Sequence, residues 1–181
     1  MLHELGVEAE PVVVSAQTGG LVEARLPSVA AFDHIIVRAT VGGETLWLDG
    51  TKLGDRIEDI RDTPPFGYGL PLRAEGATLM AIPGKPAARP TRTVDVRFDQ
   101  SAGVSLPSLF DATMTLRGGF ATVLDGMVRQ ANDEQKRQLV QGAIAAELGE
   151  AQLSKTSISY DAKTGTATVT ASGLITTPWR R

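Results

Sequence analysis

Alternating apolar and polar positions divide the first half of the chain into short predicted strands. Residues 10–16 carry a run of three valines after Pro11 and are expected to form a strand. Two further strands flank Gly42 and Gly43, because two glycines between alternating segments are typical of a tight β-hairpin. Prolines and glycines interrupt residues 49–71, which predicts mostly irregular chain there, and a short strand is expected near residues 78–82.

The second half has a more regular pattern. Strands are expected near residues 93–98, 110–117, 156–160 and 166–171, and two helices between the second and third of them. The first helix has an apolar stripe at helical spacing, made of Phe120, Val123, Leu124, Met127 and Val128. The second stripe is Leu139, Ala143, Ile144 and Leu148, in a helix that Asn132 and Gln135 open with the pattern of a capping box.

The order ββααββ predicts a small α+β domain, with an antiparallel sheet and a helical hairpin on one of its faces. Ahead of it, residues 85–91 are rich in proline and alanine and are expected to form a linker. The predicted organisation is therefore a first domain over residues 1–84, the linker, and an α+β domain over residues 92–181.

Composition narrows the classes of function. The 181 residues carry a formal net charge of −3 and contain no cysteine. A nucleic-acid partner is not expected, since no basic cluster offsets the negative charge. Disulfides, thiolate metal sites and a thiol nucleophile are excluded within this chain. The apolar runs are too short to span a membrane, the two histidines predict no metal site, and no cofactor is expected.

His34 and Asp49 are the candidate catalytic residues. If Gly42 and Gly43 are the turn residues, Arg38 lies opposite Trp47 and Ile36 opposite Asp49. His34 and Asp49 then share one face of the hairpin as diagonal neighbours, within reach of each other. The opposite face has an aliphatic surface and is expected to face the core; its aliphatic residues are Ile35, Val37, Ala39, Val41, Leu46 and Leu48.

Each of the two residues also has an ordinary structural interpretation. A single histidine on a strand is commonly a satisfied structural residue, and an Asp-Gly pair after a strand is common turn chemistry. A histidine oriented by a carboxylate is also two thirds of a nucleophile triad. The hydroxyls of Ser15, Ser28 and Thr51 are within the chain, but none lies in a recognisable nucleophile motif.

Four segments carry a resemblance to a known family. They are LGVEAEPVVVSA, LPSVAAFDHIIVRA, GGETLWLDGT and GLPLRAEGATLMAIPG. Together they resemble the second half of a transglutaminase-like core, in the bacterial branch that has a β-rich domain ahead of it. The resemblance covers residues 1–84 and departs from the pattern at Gly50, where the branch usually has proline, and at Ile36, where many relatives have an aromatic residue. Residues 92–181 resemble only vaguely the domain that follows such cores.

The resemblance implies a papain-like Cys-His-Asp arrangement in which His34 and Asp49 match the family's histidine and aspartate. The family cysteine would begin a helix roughly four turns before Gly6. The implied reaction is attack on a peptide or protein amide to give a thioester, followed by hydrolysis or transfer to an amine. Periplasmic or other extracytoplasmic residence is implied by the family alone.

The two ends of the chain suggest a fragment of a longer protein. Met1, Leu2 and Leu5 have the pattern of a last helical turn before Gly6, and the sequence stops at TTPWRR just after a predicted strand. A fragment without the cysteine is expected to be inactive alone. The alternative function is a non-catalytic scaffold that binds a peptide or a partner protein, which the fold class does not distinguish from an enzyme.

Overall fold

The computed structural model describes residues 2–103 and 105–176, which form two units. The first unit contains residues 1–52 and 57–89, and the second contains residues 53–56 and 90–181. The chain is α+β with antiparallel sheets. The expected features at Met1 and in residues 177–181 lie outside the described residues.

One antiparallel sheet forms the first unit. Its strands are β1 (Glu8–Val14), β2 (His34–Val41), β3 (Glu44–Leu48), β4 (Tyr68–Pro71) and β5 (Met80–Ala81). They lie side by side in the order β3-β2-β1-β4-β5. The sequence pattern did not predict β4, because the glycines and prolines around it suggested irregular chain. In place of the expected helix end, residues His3–Leu5 form one short 3₁₀ turn before Gly6.

The β2–β3 hairpin has the register that its glycines predict. Val41 pairs with Glu44 and Arg38 pairs with Trp47, so Gly42 and Gly43 are the two turn residues. Both have positive φ angles, 58° and 82°, which a two-residue turn of this hand requires and which glycine adopts without strain.

The prediction of which sheet face forms the core was only partly right, because Ala39 and Leu46 on the expected face are buried but the main buried cluster lies on the other face. The buried cluster of the first unit consists of Val12, Val14, Ile36, Trp47 and Ile82, with Phe66 and Met80 packed against it. This is the face of His34, whereas on the expected core face Ile35 is 57% exposed and Val41 is 49% exposed. Alternation fixes which residues share a face, but how deeply each face is buried also depends on segments distant in the sequence, such as those that contain Phe66 and Ile82.

The second unit has the expected element order. It contains β6 (Arg92–Asp99), β7 (Ser108–Arg117), α1 (Gly119–Gln130), α2 (Asp133–Leu148), β8 (Ala151–Asp161) and β9 (Thr166–Ile175). Its sheet has the order β6-β7-β9-β8. The expected strands at residues 156–160 and 166–171 are longer than predicted, because the β8–β9 pairing continues from Asp161–Thr166 at the turn to Ala151–Ile175.

The two helices of this unit differ in how well the sequence predicted them. Asn132 and Gln135 form the expected capping box, and Val140 and Ile144 of α2 are buried in the sheet core. In α1, however, the expected stripe is largely exposed at Phe120, Val123 and Met127. The small side chain of Ala121 is the fully buried one instead. None of the described helices is long and apolar enough to cross a membrane.

Candidate active site

His34 is the first residue of β2, and contacts with β1 fix where that strand begins. His34 pairs with Val14, the last residue of β1. The preceding Asp33 accepts hydrogen bonds from the backbone N–H groups of Ala16, at 2.6 Å, and Gln17, at 3.3 Å. Asp33 therefore holds the chain that follows β1 against the first residue of β2. This contact sets the position of the His34 imidazole.

Asp49 follows β3 directly and lies beside His34. The distance between His34 Nε2 and Asp49 Oδ2 is 3.0 Å, so the predicted closeness of the two side chains is confirmed. Their side chains are 21% and 11% exposed. Partial shielding from water strengthens such a contact, while the remaining exposure leaves the histidine accessible from one side.

Thr51 holds the other oxygen of the carboxylate. Its backbone N–H donates to Asp49 Oδ1 at 2.9 Å and its hydroxyl donates to the same oxygen at 2.8 Å. Partial burial, the largest single influence, raises the pKa of Asp49, but the hydrogen bonds from Thr51 and His34 together lower that pKa below its usual value. Asp49 is thus held as a carboxylate with its orientation fixed on both sides.

The contact with Asp49 determines which imidazole nitrogen is free. A carboxylate only accepts hydrogen bonds, so Nε2 of His34 carries the proton that points to Asp49. In the neutral ring the other nitrogen, Nδ1, is then an acceptor with an unshared electron pair. The arrangement therefore presents a base at Nδ1 and an orienting carboxylate at Nε2.

Phe66 is a member of the site that sequence reasoning missed. Its ring centroid lies 5.6 Å from that of His34, with the two planes inclined by 48°. This tilted contact is typical of favourable aromatic packing and restricts rotation of the imidazole. Phe66 follows Pro64-Pro65 in a segment whose pattern predicted only irregular chain, so the signal available was an aromatic residue, with Tyr68 two positions on, among turn residues.

The candidate hydroxyl nucleophiles have other partners. The Thr51 hydroxyl donates to Asp49, Ser28 accepts from the backbone of Ala30, and the buried Ser15 accepts from Thr18. In the part of the chain that the structure describes, none of the three hydrogen-bonds to His34. The same residues contain no group of three or more histidine, aspartate and glutamate side chains placed to hold a metal ion.

The site therefore consists of a base, its orienting carboxylate, a threonine that fixes the carboxylate and an aromatic ring against the base. Comparisons of the chain with protein families, with curated proteins and with solved structures found no match.

Proposed function

We propose that the first unit is the C-terminal half of a transglutaminase-like core and that His34 and Asp49 act in a Cys-His-Asp site on amides. The observation that carries this proposal is the 3.0 Å contact between His34 Nε2 and Asp49 Oδ2. A carboxylate on one nitrogen holds the imidazole in one tautomer and stabilises the imidazolium ion that forms when the other nitrogen takes a proton.

A thiol is the nucleophile that this proposal requires. The nearby hydroxyls are engaged elsewhere, and the four segments that resemble the family imply a cysteine in a helix ahead of Met1. Because the 181 residues contain no cysteine, the thiol comes from outside them. A helix start suits a thiolate, since the macrodipole there favours negative charge.

The chemistry follows from the two nitrogens of His34. Nδ1 accepts the thiol proton, and the thiolate attacks the carbonyl carbon of the amide to give a tetrahedral intermediate. The imidazolium then returns that proton to the leaving nitrogen as the C–N bond breaks, which leaves a thioester. Water, or a second amine, attacks the thioester with Nδ1 as the base, and the product is an acid or a new amide.

The second candidate function is a scaffold that binds a peptide or protein without chemistry. The lack of any thiol within the chain favours it, as do the exposed aliphatic residues Ile35, Val41 and Leu72 of the first unit. Exposed apolar surface of this kind is commonly an interaction site when it is contiguous. In such a scaffold the His34–Asp49 contact would be structural.

Amide turnover tests the first proposal. The 181-residue chain is expected to be inactive on peptide amides, and the protein extended N-terminally through the cysteine-bearing helix is expected to be active. In other triads, loss of the histidine costs on the order of 10⁶ in kcat and loss of the aspartate on the order of 10⁴. We therefore expect His34→Ala to lower turnover more than Asp49→Ala does.

His3→Ala is the matched control, because His3 is the only other histidine of the chain and the proposal gives it no role. It is expected to leave turnover unchanged. Turnover that persists in His34→Ala would refute the assignment of the base, and an inactive extended protein with an intact cysteine would favour the scaffold.

A further inference from the structure

Strand β6 forms an open edge of the sheet in the second unit. The sheet has the order β6-β7-β9-β8, so β6 pairs with β7 on one side and has no strand on its other side among the described residues. Seven of the eight residues of β6 are exposed, and Val96 is half-buried. Arg92 at its start pairs with Glu147 of α2. An edge of this kind presents unpaired backbone N–H and C=O groups with which a further strand can pair.

Alternate residues of β6 direct their backbone groups to the free edge. The N–H of Arg117 in β7 donates to the carbonyl of Thr91, and the antiparallel register that this bond begins continues along the whole of β6. Because backbone groups alternate in direction along an antiparallel strand, the odd-numbered residues of β6 bond to β7. Val94, Val96 and Phe98 therefore direct their N–H and C=O groups away from β7, to the free edge.

The side chains of β6 divide between the two faces of its sheet. Val94, Val96 and Phe98 lie on the face that the helices cover, since each pairs with a core residue of β7. Val94 and Phe98 are nonetheless exposed, because they lie at the edge of that core. Asp95 and Arg97 lie on the other face, and within residues 2–103 and 105–176 neither has an ion-pair partner. The edge thus carries apolar surface on one face and two unpaired, opposite charges on the other.

The order of residues along β6 is self-complementary. If two copies of the strand pair antiparallel about a two-fold axis at Val96, Asp95 of each copy lies opposite Arg97 of the other. On the helix-covered face the same pairing places Val94 opposite Phe98, and a β-branched side chain opposite an aromatic one is a favourable cross-strand pair. The backbone groups that point to the free edge also meet in this register, so hydrogen bonds form between the two copies of Val96 and between Val94 and Phe98.

Other registers and the other edge of the sheet are less suitable. A two-fold axis at Asp95 places two aspartates opposite each other, and an axis at Arg97 places two arginines opposite each other; like charges directly opposite destabilise a strand pair. The opposite edge strand, β8, has an irregular register between Leu153 and Lys155, and such irregularities hinder further pairing. The register of β6 with β7 is uninterrupted, so β6 is the edge prepared for a further strand.

We propose that β6 is the surface through which two copies of this chain associate, with the two strands antiparallel and the two-fold axis at Val96. The two four-stranded sheets then continue into one another. The association is independent of the proposed function, because no residue of β6 belongs to the first unit. A contact through one pair of strands belongs to the small interfaces, below about 1,200 Å² in total, so the dimer is expected to exchange with the monomer.

Sedimentation equilibrium of the 181-residue chain tests the proposal. We expect monomers at about 1 µM and a rising fraction of dimer toward about 500 µM, the range in which a small interface associates. A fit to a monomer–dimer equilibrium gives the dissociation constant. Larger species are not expected from this pairing, because a two-fold axis uses the free β6 edge of both copies and closes the dimer.

Charge reversal identifies both the strand and its register. Asp95→Arg places an arginine opposite Arg97 of the other copy, and Arg97→Asp places an aspartate opposite Asp95. Each variant alone is expected to self-associate about tenfold more weakly than the unsubstituted chain, since both symmetry-related pairs become repulsive. An equimolar mixture of the two variants is expected to form a heterodimer with the affinity of the unsubstituted dimer, because every pair is then again of opposite charge. Recovery on mixing also shows that both variants are folded.

Lys155→Glu is the matched control, because it reverses one charge on β8, the other edge strand of the same sheet. It is expected to leave the dissociation constant unchanged. Three results would each overturn the proposal: a chain that stays monomeric up to about 500 µM, self-association that neither reversal on β6 weakens, and a mixture that associates no better than its two components.

Discussion

One proton lies between His34 and Asp49, and its position determines what the site can do. The 3.0 Å contact at Nε2 assigns it to that nitrogen and leaves Nδ1 as the base. The two hydrogen bonds from Thr51 hold Asp49 so that its second oxygen points to the imidazole. At the residue scale the site is therefore a chain of three side chains, in which each one orients the next.

The imidazole proton is directly observable by NMR. We expect the Nε2–H of His34 to give a downfield resonance that exchanges slowly with water, because it is hydrogen-bonded to a carboxylate and partly shielded. Asp49→Ala should remove the resonance and His3→Ala should preserve it. A proton found on Nδ1 of His34 would contradict the assignment of the base.

Thr51→Val tests whether the hydroxyl of Thr51 stabilises the Asp49 carboxylate. The substitution removes the hydroxyl that donates to Asp49 Oδ1 and keeps the backbone N–H that does the same. We expect the pKa of Asp49 to rise toward its usual value, since one of the groups that lower it is lost. The carboxyl carbon of Asp49 reports this in an NMR titration, with Thr113→Val as the control. No rise would mean that the hydroxyl does not stabilise the carboxylate.

At the scale of the elements, Glu10 links three parts of the first sheet. It lies in β1, its partner Arg38 lies in β2, and Arg73 follows β4. The hydrogen bond from Arg73 is the main cause that lowers the pKa of Glu10 to about 2, and Arg38 adds to it. The carboxylate thus joins the strand that carries His34 to its neighbours.

The pH dependence of stability follows from that pKa. Because the folded value is lower than the unfolded one, the stabilisation is present above about pH 4.5 and is lost as the pH falls toward 2. Glu10→Gln is expected to destabilise the first unit by about 1 kcal/mol near pH 7, with a difference that shrinks below pH 4.5. Urea unfolding followed at the indole resonance of Trp47 measures it, with Glu150→Gln as the control. A difference that does not change with pH would show that the ionised carboxylate is not the cause.

Gly69 in β4 packs closely against the core of the first unit. A methyl group added there would lie 2.5 Å from Val12 Cγ1 and 3.2 Å from Ile82 Cδ1. We expect Gly69→Ala to destabilise the first unit by about 1–3 kcal/mol, because a filled core does not accept an extra methyl group without displacement. Gly84→Ala is the control, since its added carbon would meet nothing within 4 Å. Equal unfolding of the two variants would contradict the close packing of β4 on this core.

The sequence predicted local pairings better than the choice of the covered face. Two glycines determine the register of the β2–β3 hairpin, and that register brings His34 to Asp49. The burial of Ile36 and Trp47 depends instead on Phe66 and Ile82, which are distant in sequence, and Phe66 lies in a segment predicted to be irregular. The sequence pattern also failed to predict the buried face of α1. Ala121 is fully buried there, whereas Phe120, which belongs to the predicted apolar stripe, is exposed.

At the scale of the whole molecule, the chain is not divided at a single point. Residues 53–56 belong to the second unit, although residues on both sides of them belong to the first. Gly54 lies so close to Gly118 and Thr122 that an added carbon would overlap them, and Arg56 donates to the carbonyl of Ala162 at 2.9 Å. The linker segment, free of helix and strand over residues 85–91, is also attached: Arg89 pairs with Asp59 at 2.7 Å within the first unit. The composition of the sequence indicated the proline-rich segment, but it gave no sign that residues 53–56 belong to the second unit.

If His34 activates a thiol, the pH dependence of thiol alkylation will show it. The measurement uses a protein extended N-terminally to include the cysteine that the proposed function requires, together with a small alkylating reagent. A thiolate paired with the imidazolium of His34 is expected to react at pH 6 nearly as fast as at pH 8, whereas an ordinary thiol, with a pKa of about 8.5, slows about tenfold per unit of pH over that range. We expect the first profile for the unsubstituted protein and for His3→Ala, and the second for His34→Ala. An unsubstituted protein whose profile matches that of His34→Ala would contradict activation of the thiol by His34.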